Sequence, residues 1–311
     1  MPSIITITLN PAIDKSTSVT ELAADKKMRC SQPLFEPGGG GVNIARAIKK
    51  LGGNANAVYL AGGYTGKFFK QLLDKEDINS FAIEIAGHTR ENLVVLDKKN
   101  NCQYRFGMPG PEIADQEWKQ LLKILDESED VSFMVASGSI PTGVPDDIFA
   151  RISTIAKKKN AKFIVDTSGQ SLKHALQEGV FLVKPNLGEL SSLVGKEWID
   201  FSEVEATARQ IINENKCEVV VVSMGAEGAL LVTANETARV TPPAAERKST
   251  VGAGDSMVAG MVLSLSKGWS LVQAVQFGVA SGTAATMNPG TELCKKEDAE
   301  KLYKMIINKS T

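Results

Sequence analysis

The sequence predicts an α/β fold of three layers: a mostly parallel central sheet with helices on both faces, carrying a small β-sheet lid. Three observations lead there. Strand-like and helix-like segments alternate through most of the chain, which is the pattern of parallel βαβ units. Polar or glycine-rich residues follow successive strands, so the connecting loops gather at the sheet edge where open α/β sheets bind ligands. Two stretches step out of the alternation, a polar excursion within 12–36 and a hairpin within 88–108, and are read as insertions that build the lid.

In order, the chain opens on Ile4-Ile5-Thr6-Ile7-Thr8-Leu9, a β-rich run that stops at Asn10-Pro11. Asp14 comes just past that strand, where a carboxylate can receive sugar hydroxyls or simply cap a turn. Residues 15–36 are polar, with Lys26, Lys27 and Arg29 close together. Pro37 then leads into Gly38-Gly39-Gly40-Gly41-Val42-Asn43, and a helical pattern runs on to Leu51 before Gly52-Gly53. Four glycines opening a helix suit close approach of a ligand to the backbone, and equally suit a hinge. A strand at 58–61 and a helix at 65–75 follow, then strands at 81–85 and 92–96 flanking Arg90. Asn100-Asn101 turns the chain into a strand at 102–106, so 92–97 and 102–106 read as a hairpin. Arg90 and Arg105, with Lys27 and Arg29, would bring cations to the lid, although surface arginines are often only solvated.

The pattern then becomes regular: helix 115–127, strand 131–137, helix 145–159, strand 161–166, a short helix at 170–178 and strand 180–184. Helices at 187–194 and 202–215 and strands at 218–223 and 229–233 continue it. Ser137-Gly138-Ser139, Asp166-Thr167-Ser168-Gly169, Lys184-Pro185-Asn186 and Ser223-Met224-Gly225 are the loops that follow strands. No repeat or linker divides the chain, so 1–311 is read as a single domain.

Composition narrows the function. With 43% hydrophobic and 23% charged residues, 311 residues bury a full core. A net charge of -1 supplies no basic field for nucleic acid, and no apolar run reaches membrane-spanning length, so the expected partners are small molecules or copies of the chain. Cys30, Cys102, Cys217 and Cys294 are far apart and form no C-x-x-C, which fits reduced thiols and a cytoplasmic location.

The chemistry is placed at Ser249-Thr250-Val251-Gly252-Ala253-Gly254-Asp255-Ser256. The apolar residues Met257, Val258, Met261, Val262 and Leu265 follow the helical period, so the two glycines stand at a helix N-terminus. Unpartnered first-turn N–H groups and the macrodipole attract an anion there. Asp255 beside that anion is useful if it takes a proton from a hydroxyl attacking a phosphate. The bland reading is a tight turn with an Asp that stabilises the first helical turn. Neither glycine loop is a dinucleotide fingerprint, since Asn43 and Met257 occupy the third-glycine positions. A Walker loop fails too, because Phe68 follows Gly66-Lys67.

Taken together, Thr250-Val251-Gly252-Ala253-Gly254-Asp255-Ser256 and Gly38-Gly39-Gly40-Gly41-x-Asn43 resemble the paired signatures of the ribokinase-like (PfkB) sugar kinases. Asn186-x-x-Glu189 resembles the N-x-x-E motif of the same family, and the likeness runs from Ile4 to about Leu293. Phe35-Glu36-Pro37-Gly38, Lys27-Met28-Arg29-Cys30, Thr89-Arg90-x-Asn92-Leu93 and Gly290-Thr291-x-Leu293-Cys294 are most similar to its 6-phosphofructokinase branch. Asn10-Pro11-Ala12-Ile13-Asp14 is written more as in 1-phosphofructokinases and tagatose-6-phosphate kinases, which usually carry Lys where this chain has Gly40.

The resemblance implies ATP and fructose 6-phosphate as substrates, with Asp255 as general base and Gly252, Ala253 and Gly254 as anion hole. It implies Asp14, Gly38, Gly39, Asn43, Asn92 and Ser139 on the sugar, with Lys27, Arg29, Arg90 and Arg105 as lid cations around its phosphate. Nucleotide would lie along Lys184, Asn186, Ser223, Gly225 and Gly228. Mg²⁺ would be held through water by Asn186 and Glu189, and K⁺ mainly by backbone oxygens of Ser249, Val251, Ala285, Asn288 and Gly290, with position 292 contributing. Glu292 stands where a basic residue is expected, which matters only if the side chain is a ligand. The resemblance and the lid's apolar residues Val94, Leu96 and Phe106 together imply a homodimer through the lid, with a tetramer open. Other substrates of the same class, tagatose 6-phosphate and fructose 1-phosphate, and a non-enzymatic sugar or nucleotide sensor on this fold stay open at this point.

Overall fold

The computed structural model describes residues 3–214 and 217–309. It begins with β1 (Ser3–Thr8), β2 (Ala12–Val19), β3 (Leu34–Gly38), α1 (Gly40–Lys50), β4 (Asn56–Ala61), α2 (Gly63–Lys75) and β5 (Ser80–Glu84). The hairpin β6 (Arg90–Asp97) and β7 (Cys102–Phe106) follows, then α3 (Asp115–Glu127), β8 (Val131–Ser137), α4 (Ile148–Lys158), β9 (Lys162–Asp166), α5 (Gly169–Glu178) and β10 (Val180–Val183). The last third holds α6 (Leu187–Leu193), α7 (Val204–Glu214), β11 (Cys217–Ser223), β12 (Ala229–Thr233), β13 (Thr237–Val240), α8 (Ala253–Ser266), α9 (Leu271–Thr286) and α10 (Lys296–Lys309).

The main sheet has the order β13-β12-β11-β10-β9-β8-β1-β4-β5. Its pairs are parallel from β5 through β11, and antiparallel for β11–β12 and β12–β13. Period-two alternation explains the two cores. Ile4 of β1 and Val219 and Val221 of β11 face the layer of α1, α2, α8, α9 and α10, while Ile5 and Ile7 of β1 and Val220 and Val222 of β11 face the layer of α3, α4, α5 and α7. Between α8 and α9 the contact is close because the crossing residues are small: a Cβ at Gly278 would lie 2.5 Å from Met261 Cγ.

The lid is a second sheet of order β3-β2-β6-β7, with β2 and β6 parallel and its other pairs antiparallel. Asp97, almost wholly buried, ties its far end together by accepting from the backbone N–H groups of Leu22 (3.1 Å), Lys99 (3.0 Å) and Asn100 (3.1 Å).

The strand expected at 81–85 is present as β5, at the edge of the main sheet. Other expectations are corrected. The helix expected at 202–215 opens with a 3₁₀ turn and is described to Glu214, and Asn215 lies outside the described residues. β13, α9 and α10 went unforeseen. In α9 small apolar residues are buried on nearly every side, so no polar stripe marks its period. β13 is four residues long and half polar. Val94, expected to be an exposed lid residue, is buried within the chain, whereas Leu34, Tyr104, Phe106 and Met108 are exposed.

Candidate active site

Gly252 adopts the left-handed conformation (φ 71) as N-cap of α8, and a Cβ there would sit 2.6 Å from Leu293 Cδ2. With no side chain capping this end, the N–H groups of Ala253 and Gly254 are left to bind an anion, while Ser256 N donates to Gly252 O (2.8 Å). Asp255 stands in this first turn, and Asn43 Nδ2 donates to its Oδ2 at 2.9 Å. Burial pushes the Asp255 carboxyl up to about 6, with Asp166 adding to the rise and Asn43 and Lys184 opposing it. A carboxylate at that value is ionised at neutral pH yet basic enough to accept a hydroxyl proton.

The lid side brings a second carboxylate. Asn92 Nδ2 donates to Asp14 Oδ1 (2.9 Å), and Asn92 Oδ1 in turn accepts from Met108 N (3.1 Å). Burial raises the pKa of Asp14, with Asn92 pulling against it, Glu36 adding to the rise, and Arg46 and Arg90 opposing it. Arg90 is held by two backbone carbonyls, Nη2 to Asn10 O (2.9 Å) and Nη1 to Met108 O (3.0 Å), while its Nε has no partner among the described residues. Asn10 also donates from Nδ2 to Ser139 Oγ (3.1 Å), which seats Ser139 beside this end of the cleft.

The glycine run is explained by the protein itself. A Cβ at Gly38 would overlap Asp14, and one at Gly40 would overlap Ser137 Oγ; Gly39 takes φ 111. The backbone here is pressed against neighbouring strands, so neither ligand approach nor a hinge is needed to account for it. Lys27 and Arg29 are exposed between β2 and β3 and touch none of these groups, and Arg105 on β7 is tied to Gln103 Oε1 (3.1 and 3.0 Å). Of the four expected lid cations, the chain itself brings only Arg90 to the cleft.

Across from the lid, Lys184 Nζ pairs with Asp166 Oδ1 (3.1 Å), both side chains largely covered, and lies 3.6 Å from where a Cβ of Gly254 would be. Burial works against the charge on Lys184, but Asp166, Glu189 and Asp255 together outweigh it and raise its pKa. Asn186 and Glu189 form a reciprocal capping box on α6: Asn186 Oδ1 accepts from Glu189 N and Glu189 Oε2 from Asn186 N, each at 2.9 Å. Ser223 bridges to Asn186 and donates from N to Pro185 O (2.9 Å). Gly225 (φ 60) and Gly228 (φ 88) turn the next loop, closed by Met224 N donating to Gly228 O (2.8 Å).

The capping box commits Asn186 Oδ1 and Glu189 Oε2 to backbone N–H groups, and it brings together a carboxylate and an amide, oxygen donors of the kind that Mg²⁺ takes directly or through water. The loops expected to hold K⁺ are drawn together: Ser249 Oγ donates to Gly290 O (2.6 Å), Asn288 Nδ2 to Leu293 O (2.9 Å) and Asn288 N to Ala285 O (3.2 Å). Neutral carbonyl oxygens of this kind suit a hard monovalent ion. Glu292 Oε1 is turned to Lys295 Nζ (3.4 Å).

Sequence reasoning missed Arg46. Almost wholly buried on α1, it forms a fork with Glu76 (Nε–Oε2 2.8 Å, Nη2–Oε1 2.6 Å) and donates from Nη1 to Pro37 O (2.7 Å) and Asn43 Oδ1 (3.3 Å). The signal was available: a lone charge among Val42, Ile44, Ala45, Ala47 and Ile48 on a helix. Asp166 and Asn10 were likewise read only as loop residues.

Residues 4–298 match the family described as pfkB family carbohydrate kinase. The chain is 44% identical, over 97% of its length and 98% of the relative's, to ATP-dependent 6-phosphofructokinase isozyme 2 of Escherichia coli. It is 41% identical to the isozyme 2 enzyme of Mycobacterium tuberculosis, over 98% and 90% of the two chains. Among solved structures, Escherichia coli phosphofructokinase-2 in complex with potassium superposes with a TM-score of 0.95 at 43% identity, covering 99% of this chain and 100% of that one. The same enzyme with fructose-6-phosphate gives 0.93 at 42% over 99% and 100%, as does its tetrameric inhibited form. With this architecture, the capless helix end and these relatives, the chain belongs to the pfkB family of carbohydrate kinases, as a kinase of the phosphofructokinase-2 type.

Proposed function

We propose that this kinase transfers the γ-phosphoryl group of ATP to the 1-hydroxyl of fructose 6-phosphate, giving fructose 1,6-bisphosphate. The observation that carries the reading is Asp255: a carboxylate with a pKa of about 6, fixed by Asn43, at the open N-terminus of α8. Asp255 takes the proton of the attacking hydroxyl, and the N–H groups of Ala253 and Gly254 receive the charge that gathers on the phosphoryl oxygens. Asp14, held by Asn92, Gly38 and Gly39 with Asn43 orient the sugar, and Ser139 lies toward its phosphate end. Arg90, already gripped by two carbonyls, offers its remaining N–H groups to the 6-phosphate without having to be ordered on binding.

Lys184 meets the phosphates of the nucleotide, which runs on past Asn186 and Ser223 to Gly225 and Gly228. Glu189 would hold Mg²⁺, in part through water, and the carbonyls of Ser249, Val251, Ala285, Asn288, Gly290 and Glu292 would hold K⁺. When bound, these ions supply positive charge against the phosphates and the anion hole.

Gly40 supports the 6-phosphofructokinase reading. A side chain there would push its Cβ into Ser137, so this chain lacks the lysine that 1-phosphofructokinases and tagatose-6-phosphate kinases usually carry at that position. Lys27, Arg29 and Arg105, exposed here, are available to a second copy, and the apolar side chains Leu34, Tyr104 and Phe106 on the lid support pairing through it into a homodimer or a larger assembly. The four unpaired cysteines support a reducing, cytoplasmic setting.

A substrate panel tests the reading. ADP release with fructose 6-phosphate should exceed that with tagatose 6-phosphate or fructose 1-phosphate by about tenfold or more in kcat/KM, the size of effect that one lost charged contact produces. Preference for either competitor would refute the substrate, and no turnover with any of them would leave the sensor reading standing.

A further inference from the structure

One contact joins the lid to the opposite half of the molecule. Thr291, buried in the loop between α9 and α10, donates from Oγ1 to Glu36 Oε2 on lid strand β3. Glu36 stands across from Asp14 in the β2–β3 register, and its other oxygen lies 3.4 Å from Arg46 Nη2. Arg46 in turn touches Asn43, the residue that holds Asp255.

Thr291 is no less connected on its own side. It follows Gly290, whose carbonyl accepts from Ser249 Oγ, and its carbonyl and the Leu293 side chain lie beneath Gly252, the cap of the anion hole. The carboxylate of Glu36 is therefore the shared member of two contacts. One leads through Arg46 and Asn43 to the base; the other leads through Thr291 to the loop of carbonyls at 249–251 and 288–292.

We propose that Thr291 is a positioning residue that couples the sugar site to the monovalent-cation loop, so that an ion in the loop and a sugar phosphate under the lid strengthen each other's binding. The inference rests on the sugar-phosphate kinase reading above. Glu36 is fixed to lid strand β3, so a shift of β3 on sugar binding would pass through its bond to Thr291 into the loop that carries Gly290. Because coupling is reciprocal, the ion must tighten sugar binding by the same factor that the sugar tightens ion binding.

Calorimetry without nucleotide tests this, since no turnover enters. Fructose 6-phosphate is titrated into the full chain in potassium chloride and in choline chloride, and potassium is titrated by thermal shift with and without the sugar phosphate. The wild type should bind the sugar phosphate on the order of 5-fold more tightly in potassium, the lower end of typical couplings. Thr291→Val should abolish that ratio while leaving the Kd in choline within about twofold, and Thr291→Ser, which keeps the hydroxyl, should retain it. Equal wild-type constants in the two salts, or a ratio that survives in Thr291→Val, would overturn the coupling alone. No sugar binding in either salt would overturn the substrate reading and the coupling with it.

Discussion

Replacing Asp166 by Asn should move the acid limb of activity to lower pH. Asp255 must be ionised to accept a proton, so kcat/KM falls as the pH drops through its pKa of about 6. One unit lower, at pH 5, only about one-tenth of the enzyme remains in the active form. The rise from 3.8 to about 6 is roughly two units, or about 3 kcal/mol against the charged form, caused first by burial and second by the neighbouring negative charge of Asp166. Asp166→Asn removes that charge and releases Lys184 from its partner, and both changes favour an ionised Asp255. The expected displacement of the limb is on the order of one pH unit downward. The assay is initial ADP formation, quantified by chromatography from pH 4.5 to 8.5, for wild type and variant side by side. Substrate phosphates titrate identically in both series, so the difference belongs to the protein. Superimposed limbs, or a limb that moves upward, would refute the claim that the charge on Asp166 adds to the basicity of Asp255.

Further outcomes follow from the same geometry. Asp255→Asn should lose about 10²- to 10⁴-fold in kcat across the whole range, measured by the same ADP assay. Arg90→Ala should raise the KM for fructose 6-phosphate with little change in that for ATP; steady-state kinetics with each substrate varied would expose an equal rise in both as evidence against the lid assignment. Gly252→Ala combines a left-handed backbone with a clash at Leu293 and should cost on the order of 1–3 kcal/mol, seen as a Tm lower by several degrees. Phe106→Glu on the exposed lid face should shift the assembly toward monomer in light scattering, and an unchanged mass would argue against pairing through the lid.

Most of the architecture was legible because period and punctuation agreed: the strand at 131–137 and the helix at 115–127 match β8 and α3 residue for residue. The motif residues were legible as types, since a carboxylate after Gly-x-Gly at a helix start has few uses. What escaped was set by tertiary packing. Arg46 binds Glu76, thirty residues away, and Glu36 binds Thr291 across 255, separations at which no local pattern survives. The glycines of 38–41 were visible, but their cause, contact with Asp14 and Ser137, needed the fold. α10 was within reach, because Ala299, Leu302 and Ile306 keep helical spacing, whereas α9 buries nearly every face and shows no stripe.

The position of β1 bears on how the molecule is made. β1 lies third from one edge of the main sheet, in register with residues 56–59 on one flank and 131–136 on the other, and the amide that orients Asp255 waits for a partner 212 residues downstream. Such long sequence separations slow the search for native pairings. A nascent chain that stops short of α8 therefore presents a half-covered sheet to solvent, sticky toward other unfinished chains and silent as a catalyst until its final helices dock.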